Sequence, residues 1–406
     1  MATREELRQR IVEAIEAKRD EIVEVAETIR QNPELGYQEV KASQLLASAI
    51  RDQGFEVEKP AAGIETAFVA SKHGYKDGPH VAVLAEYDAL AGIGHGCGHN
   101  LIGASGLAAA IGLNAVMDEL PGVFEVIGTP AEEGGAGKLR MLEAGVFDDV
   151  DAAIMIHHAG HQSGAPTQFP GGTCLAVQGF GLEYFGKPAH AAADPYNGVN
   201  ALNAVIEFFK GVDALRQHVP METRIHGIIT HGGDAVNVVP KYASADLLVR
   251  SPSVEGVNAV MDKVRKVAEG AALMTGCEYK ITEGELHPDM RPSYEIGRTY
   301  SDNMREMGIE LNARAERGMH STDFGHISYK IPSVTGSFAI SHEPIPGHSQ
   351  QVVDASGSEY GYDQLIKVSK AMALTVFDLL TDQDLLAKSK EETAHWAARY
   401  EGAGVS

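Results

Sequence analysis

Apolar residues in the first part of the chain recur at helical intervals. Ile11, Ile15, Ile22 and Val25 stand among Glu, Arg and Lys, the stripe of one or two amphipathic helices. Asn32-Pro33-Glu34-Leu35-Gly36 interrupts the stripe, because Pro and Gly both stop a helix, and a further helix is predicted from Val40 to Gln53. The pattern then changes to short apolar runs. Gly63 to Ser71 reads as a strand, and Gly78-Pro79 turns into the strongest one, His80-Val81-Ala82-Val83-Leu84-Ala85-Glu86. Its unbroken apolar character is that of a strand covered on both faces. The Ala-rich stretch Leu101 to Glu119 reads as a buried helix, and Phe124 to Thr129 and Asp151 to Ile156 read as strands. This alternation predicts an α/β fold with a mostly parallel central sheet and helices on both faces.

The pattern changes again near Gly171 to Cys174. A strand (Cys174 to Phe185), a helix (Gly198 to Val212), two strands (Thr223 to Thr230, Tyr242 to Arg250), a helix (Val254 to Met274) and a strand (Cys277 to Glu283) follow. This β-α-β-β-α-β order is that of a ferredoxin-like α+β module, and 175–287 is expected to be a domain inserted into an α/β domain made of 1–174 and 288–406. After His287 the α/β pattern resumes and closes with a helix from Gly361 to Leu380 and a polar tail rich in Lys, Glu and Ala.

Composition narrows the function classes. The 406 residues carry 34 Lys+Arg against 56 Asp+Glu, a formal charge of −22, with 44% hydrophobic and 22% charged residues. That is a globular balance, and its negative field argues against partners such as nucleic acid or an anionic membrane. No run approaches the roughly 18 apolar residues of a membrane span, and Met1-Ala2-Thr3-Arg4-Glu5-Glu6 has no apolar segment behind it. A cytoplasmic protein is expected. Cys97, Cys174 and Cys277 are too few and too scattered for a disulfide framework.

Four segments carry candidate chemistry. Gly94-His95-Gly96-Cys97-Gly98-His99-Asn100 follows the strongest strand, where ligand sites of open α/β sheets lie. Its glycines leave the backbone free to turn Cys and His donors onto one point; taken alone, a glycine-rich turn with an incidental His fits as well. Gly128-Thr129-Pro130-Ala131-Glu132-Glu133-Gly134-Gly135 again follows a strand, and suits one acid that binds metal beside another that handles protons. His157-His158 ends a strand, and His342 and His348 lie in a loop rich in Pro and Gly. Together these segments could supply the ligands of two metal ions.

In this order, Glu86-Tyr87-Asp88-Ala89-Leu90, Gly94 to Asn100, Glu132-Glu133-Gly134-Gly135, His157, Gly186-Lys187-Pro188-Ala189-His190 and His348 span nearly the whole chain. The series resembles the aminoacylase and carboxypeptidase-type metallopeptidases (family M-twenty). More narrowly it resembles their amidohydrolase branch, with indoleacetyl-amino-acid hydrolases, p-aminobenzoyl-glutamate hydrolase and β-alanyl-lysine-type dipeptidases. The resemblance implies two divalent metal ions per chain, zinc or manganese with cobalt acceptable, held by Cys97, His99, Glu133, His157 and His348. It implies Glu132 as general base and acid, Asp88 as the acid that orients a ligand, and His190 as a residue reaching the reacting carbonyl across a homodimer formed by the inserted domain, which would also serve as lid. Asn237 and Arg250 fall where the family positions a substrate's carboxylate and oxyanion. His95, His158 and His342 match no ligand role.

One departure stands out. Glu86 occupies a position where many relatives have a metal-binding His and the amidohydrolase branch usually has Asp, so its role stays open. The implied activity is metal-dependent hydrolysis of an amide bond in a small N-acyl amino acid or dipeptide with a free carboxylate. Alternatives are a p-aminobenzoyl-glutamate hydrolase and, in another class, a catalytically inactive metal-binding regulatory protein. A nicotinamide-dependent enzyme is disfavoured, because Gly92-Ile93-Gly94 has Cys97 where a dinucleotide turn needs Gly.

Overall fold

The computed structural model describes residues 2–167, 173–312 and 318–402, without the side chains of 395–402. In chain order the elements begin with α1 (Arg4–Ala17), α2 (Arg19–Gln31), α3 (Val40–Asp52), β1 (Glu56–Glu58), β2 (Phe68–His73), β3 (Lys76–Glu86), α4 (His99–Asn114), β4 (Pro121–Thr129), α5 (Gly137–Glu143) and β5 (Ala152–His158). They continue with β6 (Ala176–Phe185), α6 (Ala201–Leu215), β7 (Arg224–His231), β8 (Tyr242–Ser251), α7 (Val254–Thr275) and β9 (Glu278–His287). The chain closes with α8 (Tyr294–Glu306), α9 (Phe324–Lys330), β10 (Ser333–Phe338), α10 (Gln350–Ala355), α11 (Glu359–Thr381) and α12 (Gln383–Gly402).

Two compact units result: Met1–Pro170 with Arg291–Glu316 and His326–Tyr400, and Gly171–Met290 with Arg317–Gly325. The first holds a six-stranded sheet in the order β1-β2-β4-β3-β5-β10. β4, β3, β5 and β10 run parallel, and β2 and β1 add an antiparallel margin. Both side-chain sets of central β3 are buried, Val81, Val83 and Ala85 as well as Ala82 and Leu84, so the sheet is covered on both faces. α4 is buried at every residue but its last, Asn114, as its uniformly small, apolar sequence requires. Close packing depends on Gly106, where a Cβ would lie 2.9 Å from Val126 Cγ1 and 3.0 Å from Ala85 Cβ. At the N-terminus, Thr3 and Glu6 form a reciprocal capping box that starts α1, and Ile11, Ile15 and Ile22 are fully buried.

Several local boundaries differ from the sequence expectation. The helix expected to reach Glu119 ends at Asn114 and is followed by a separate turn of 3-10 helix, Met117–Glu119. The strand expected from Gly63 starts at Phe68. The polar tail is a helix, α12, because Ala, Lys and Glu are strong helix formers even without an apolar stripe.

The second unit is a four-stranded antiparallel sheet in the order β7-β8-β6-β9 with α6 and α7, a ferredoxin-like arrangement. Phe180, Leu182 and Tyr184 of β6 are buried on one face of this sheet. Edge strand β7 leaves Ile228 65% and Ile229 45% exposed. The unit also includes a late segment: Gly318 N–H donates to Thr173 O, and Leu175 N–H donates to His320 O. Among the described residues no helix is long and apolar enough to cross a membrane.

Candidate metal centre

Parallel register brings the candidate donors to one edge of the first unit. Glu86 at the end of β3 pairs with Thr129 at the end of β4, and Val83 pairs with Ile154 of β5. The carboxyl ends of three adjacent strands therefore deliver Glu86 to Asp88, Ala131 to Gly135, and His157 to one place. The Gly94–Asn100 turn folds over the same edge into the start of α4. Gly98 has φ 68° and a Cβ there would lie 2.8 Å from His158 Cδ2, so the turn admits only glycine.

The donors converge in two groups that share Cys97. Ligand atoms of Cys97, His99 and His157 lie within 4.8 Å of one another, as do those of Cys97, Glu133 and His348; His99, Glu132 and Glu133 form a third such group. Cys97 Sγ is 3.5 Å from His157 Nε2. Glu133 reaches towards two rings, Oε1 3.8 Å from His99 Nε2 and Oε2 3.7 Å from His348 Nε2.

The outer partners settle which ring nitrogen faces the centre. His99 Nδ1 lies 3.0 Å from Asp88 O and 2.9 Å from Asp88 Oδ1, and His157 Nδ1 lies 2.8 Å from His158 O. A carbonyl oxygen only accepts, so both Nδ1 atoms carry protons and both Nε2 atoms face inward, the orientation from which each can bind a metal once its Nε2 is free of a proton. His99 Nε2 and Glu133 Oε1 are buried without a hydrogen-bond partner, a costly condition that a cation would relieve. These residues fit a divalent ion: one thiolate, imidazole nitrogens and a carboxylate form the mixed donor set that zinc accepts and that manganese or cobalt tolerates.

Local electrostatics agree. Burial opposes ionisation of Asp88, but His99 and the Glu133 N–H, which donates to Oδ2 at 2.9 Å, hold it below the usual carboxylate range. Burial likewise works against a charged His99, and the opposing pull of the Asp88 carboxylate, 2.9 Å from Nδ1, raises its pKa well above the ordinary value. The Cys97 thiol is pushed up to about 12, chiefly by burial. Without a cation the pocket thus retains protons that a metal would displace.

Glu86 is answered by a residue that sequence reasoning overlooked. Lys138 Nζ lies 2.5 Å from Glu86 Oε1, both side chains fully buried, and Glu86 Oε2 is 3.5 Å from His99 Nε2. A single Lys after the glycines that follow Glu133 matches no metal or catalytic motif, so the sequence carries no signal for it. The unassigned histidines sit around the centre or away from it. His158 stacks on His157 with centroids 5.0 Å apart, burial pushes His95 down to about 4, and His342 packs on Tyr360.

His190, Asn237 and Arg250 belong to the second unit. Ala192 and Ala193 N–H donate to His190 Nδ1 at 3.2 and 3.1 Å, which leaves the proton on Nε2 of an exposed ring. Ala191 N–H donates to Asn237 O at 3.0 Å, so the His190 and Asn237 loops adjoin. Arg250, half-buried on β8, donates from Nη1 to Ser321 Oγ at 2.9 Å and has no acidic partner among the described residues. Ser321 was missed because it lies 71 residues further along in a segment without pattern.

The model of peptidase family M20/M25/M40 matches residues 79–374, a stretch that contains every one of these donors. The chain belongs to this family. Xaa-Arg dipeptidase of Mus musculus is 34% identical over 95% of this chain and 92% of its own length. A p-aminobenzoyl-glutamate hydrolase polypeptide of Escherichia coli is 31% identical over 96% of this chain and 95% of its own length. Among solved structures, a dinuclear metal-binding peptidase of Bacillus subtilis aligns with a TM-score of 0.66 at 23% identity, covering 86% of this chain and 98% of that one. As a member of this family the chain is a metal-dependent amidohydrolase, of the dipeptidase or aminoacylase type.

Proposed function

We propose that this M20 enzyme hydrolyses the amide bond of a dipeptide or N-acyl amino acid with a free carboxylate, using two divalent ions held by Cys97, His99, Glu133, His157 and His348. The observation that carries the reading is the sharing of Cys97 between two donor groups, each within bonding reach of one ion. Bound ions of this kind polarise an amide carbonyl and bring the pKa of a water towards neutrality. Zinc is the default for a set containing a thiolate, with manganese or cobalt as alternatives. Glu132 takes the water's proton and returns it to the leaving nitrogen. Asp88 keeps the His99 ring oriented. The Nε2–H of His190 is a donor suited to the oxygen on which charge develops, and Arg250 and Asn237 hold the substrate's carboxylate and carbonyl.

The inserted 175–287 domain is proposed to act as lid and dimer contact. Strand geometry supports this. Arg250 lies eight residues beyond Tyr242, where β8 begins after the Asn237 loop, about 27 Å along a strand. A dipeptide is too short to touch both ends, so Arg250 and the His190–Asn237 pair would serve different copies of the site, as a twofold dimer allows. The exposed isoleucines of edge strand β7 give such a contact its apolar area. Three free cysteines suit a cytoplasmic setting.

The test is a hydrolysis panel of dipeptides with basic and neutral C-terminal residues, N-acyl amino acids and p-aminobenzoyl-glutamate, run with zinc, manganese or cobalt. Turnover of one class that chelation abolishes is expected. Full activity in metal-free protein, or no hydrolysis of any member with any ion, would overturn the reading. Preference for p-aminobenzoyl-glutamate would move the assignment to that alternative.

A further inference from the structure

The turn that carries Glu132 and Glu133 is strained and is gripped from below by a segment with no assigned role. Ala131 and Ala136 adopt φ of 57° and 53°, the left-handed region that is unfavourable for a non-glycine residue and persists only where surroundings enforce it. Within the turn Gly135 N–H donates to Ala131 O at 3.0 Å. Outside it, the connection between α2 and α3 supplies the grip. The Tyr37 hydroxyl donates to Gly135 O, and Gly36 lies against Ala131, where a Cβ on Gly36 would be 2.9 Å from Ala131 Cβ. Glu39 Oε1 accepts the Ala131 N–H at 2.8 Å.

Glu39 is buried completely and its second oxygen has no hydrogen-bond partner. Its place in the backbone makes this unusual. Glu39 precedes the first residue of α3, the position from which a short side chain (Ser, Thr, Asp or Asn) ordinarily bonds the free N–H groups of the helix. Here Glu34 does that, accepting from Lys41 N–H at 2.9 Å and Ala42 N–H at 3.0 Å. Glu39 is thereby released to reach a turn 92 residues away. Burying a carboxyl group is expensive, and this one accepts from the backbone amide of the residue that precedes Glu132.

We infer that Glu39 is a positioning residue for catalysis: with Tyr37 it clamps the Ala131–Gly135 turn, so that Glu132 is held where it can take and return the proton. The inference rests on the assignment of Glu132 as base. A displacement of about 1 Å in a catalytic group can cost on the order of a hundredfold in rate, so the clamp should act on kcat and leave substrate affinity nearly untouched. Gln keeps a carbonyl oxygen that can accept the Ala131 N–H, whereas Met fills the same space without an acceptor.

The experiment compares Glu39→Met, Glu39→Gln, Tyr37→Phe and Glu132→Gln in the metal-loaded enzyme, recording kcat, KM and bound metal. Glu39→Met should lower kcat at least tenfold, with KM within threefold and metal content unchanged, and Glu39→Gln should restore kcat to within about threefold of the parent. Wild-type kcat in Glu39→Met, or Glu39→Gln as slow as Glu39→Met, would overturn the inference. If Glu39→Met does not fold, Tyr37→Phe decides: a severalfold fall in kcat at constant KM supports the clamp, and unchanged kcat refutes it. Loss of turnover in Glu132→Gln beside wild-type turnover in the clamp variants leaves the base standing and removes the clamp, whereas full turnover in Glu132→Gln removes the base itself.

Discussion

Asp88 Oδ1 lies 2.9 Å from His99 Nδ1, and this contact orients a ring that enters two of the candidate ligand groups. The other oxygen of Asp88 accepts the Glu133 N–H, so one carboxylate fixes two donors. Asp88→Asn presents an NH2 group to one of these two N–H donors, a clash that must turn one of them away. A loss of 10- to 100-fold in metal affinity or activity is expected. Metal titration and kinetics of the variant check it, and wild-type values for both would show that Asp88 orients neither donor.

Metal affinity should rise with pH. The Cys97 thiol is pushed up to about 12 by burial and the His99 pKa is raised well above its usual value, so near neutral pH both groups bear protons in the metal-free protein. Binding displaces them, and each displaced proton contributes about tenfold per pH unit. Competition titrations at pH 6.5 and 7.5 should give at least tenfold tighter binding at the higher pH. A pH-independent dissociation constant would mean that these ligands are already deprotonated.

Glu132→Gln removes a base without altering its shape. The variant should bind metal as the parent does and lose at least a hundredfold in kcat, the usual scale of a general base. Paired metal analysis and kinetics settle the matter, and retained turnover would transfer the proton chemistry to another group.

Lys138→Met would strand the Glu86 carboxylate in a fully buried position. Breaking a buried pair from one side costs about 3–5 kcal/mol, while replacing both partners is often nearly neutral. Urea unfolding of Lys138→Met, Glu86→Gln and the double variant should therefore show a large loss in the first and recovery in the double variant. A single variant as stable as the parent would mean that the pair contributes little.

Much of the fold was legible because it rests on local periodicity. The unbroken run His80 to Glu86 became the end of the central strand β3, and the β-α-β-β-α-β order became a ferredoxin-like unit. Boundaries failed where periodicity was weak, as at the end of α4 and the start of β2, and the polar sequence that forms α12 carried no apolar stripe to announce a helix. The candidate donors were legible by residue type, as Cys, His and Glu in glycine-rich turns after strands, and the structure brings their ligand atoms within 4.8 Å of one another in groups of three. Lys138, Glu39 and Ser321 were not legible. Each acts through a partner far away or hidden in the fold: Glu39 reaches Ala131 across 92 residues and Arg250 reaches Ser321 across 71.

What the amino-acid sequence determined by itself is the order of elements and the kinds of atom available to bind a cation. Both follow from side-chain character and spacing within a few residues. Only the tertiary structure decided which nitrogen of His99 and His157 faces inward, that the charge of Glu86 is met by Lys138, and which side chains hold the Glu132 turn. It also decided that Arg250 stands at the opposite end of β8 from the Asn237 loop. These outcomes depend on strand register and on burial, which bring together groups remote in the chain and leave each buried donor only the partners that the packed interior offers it.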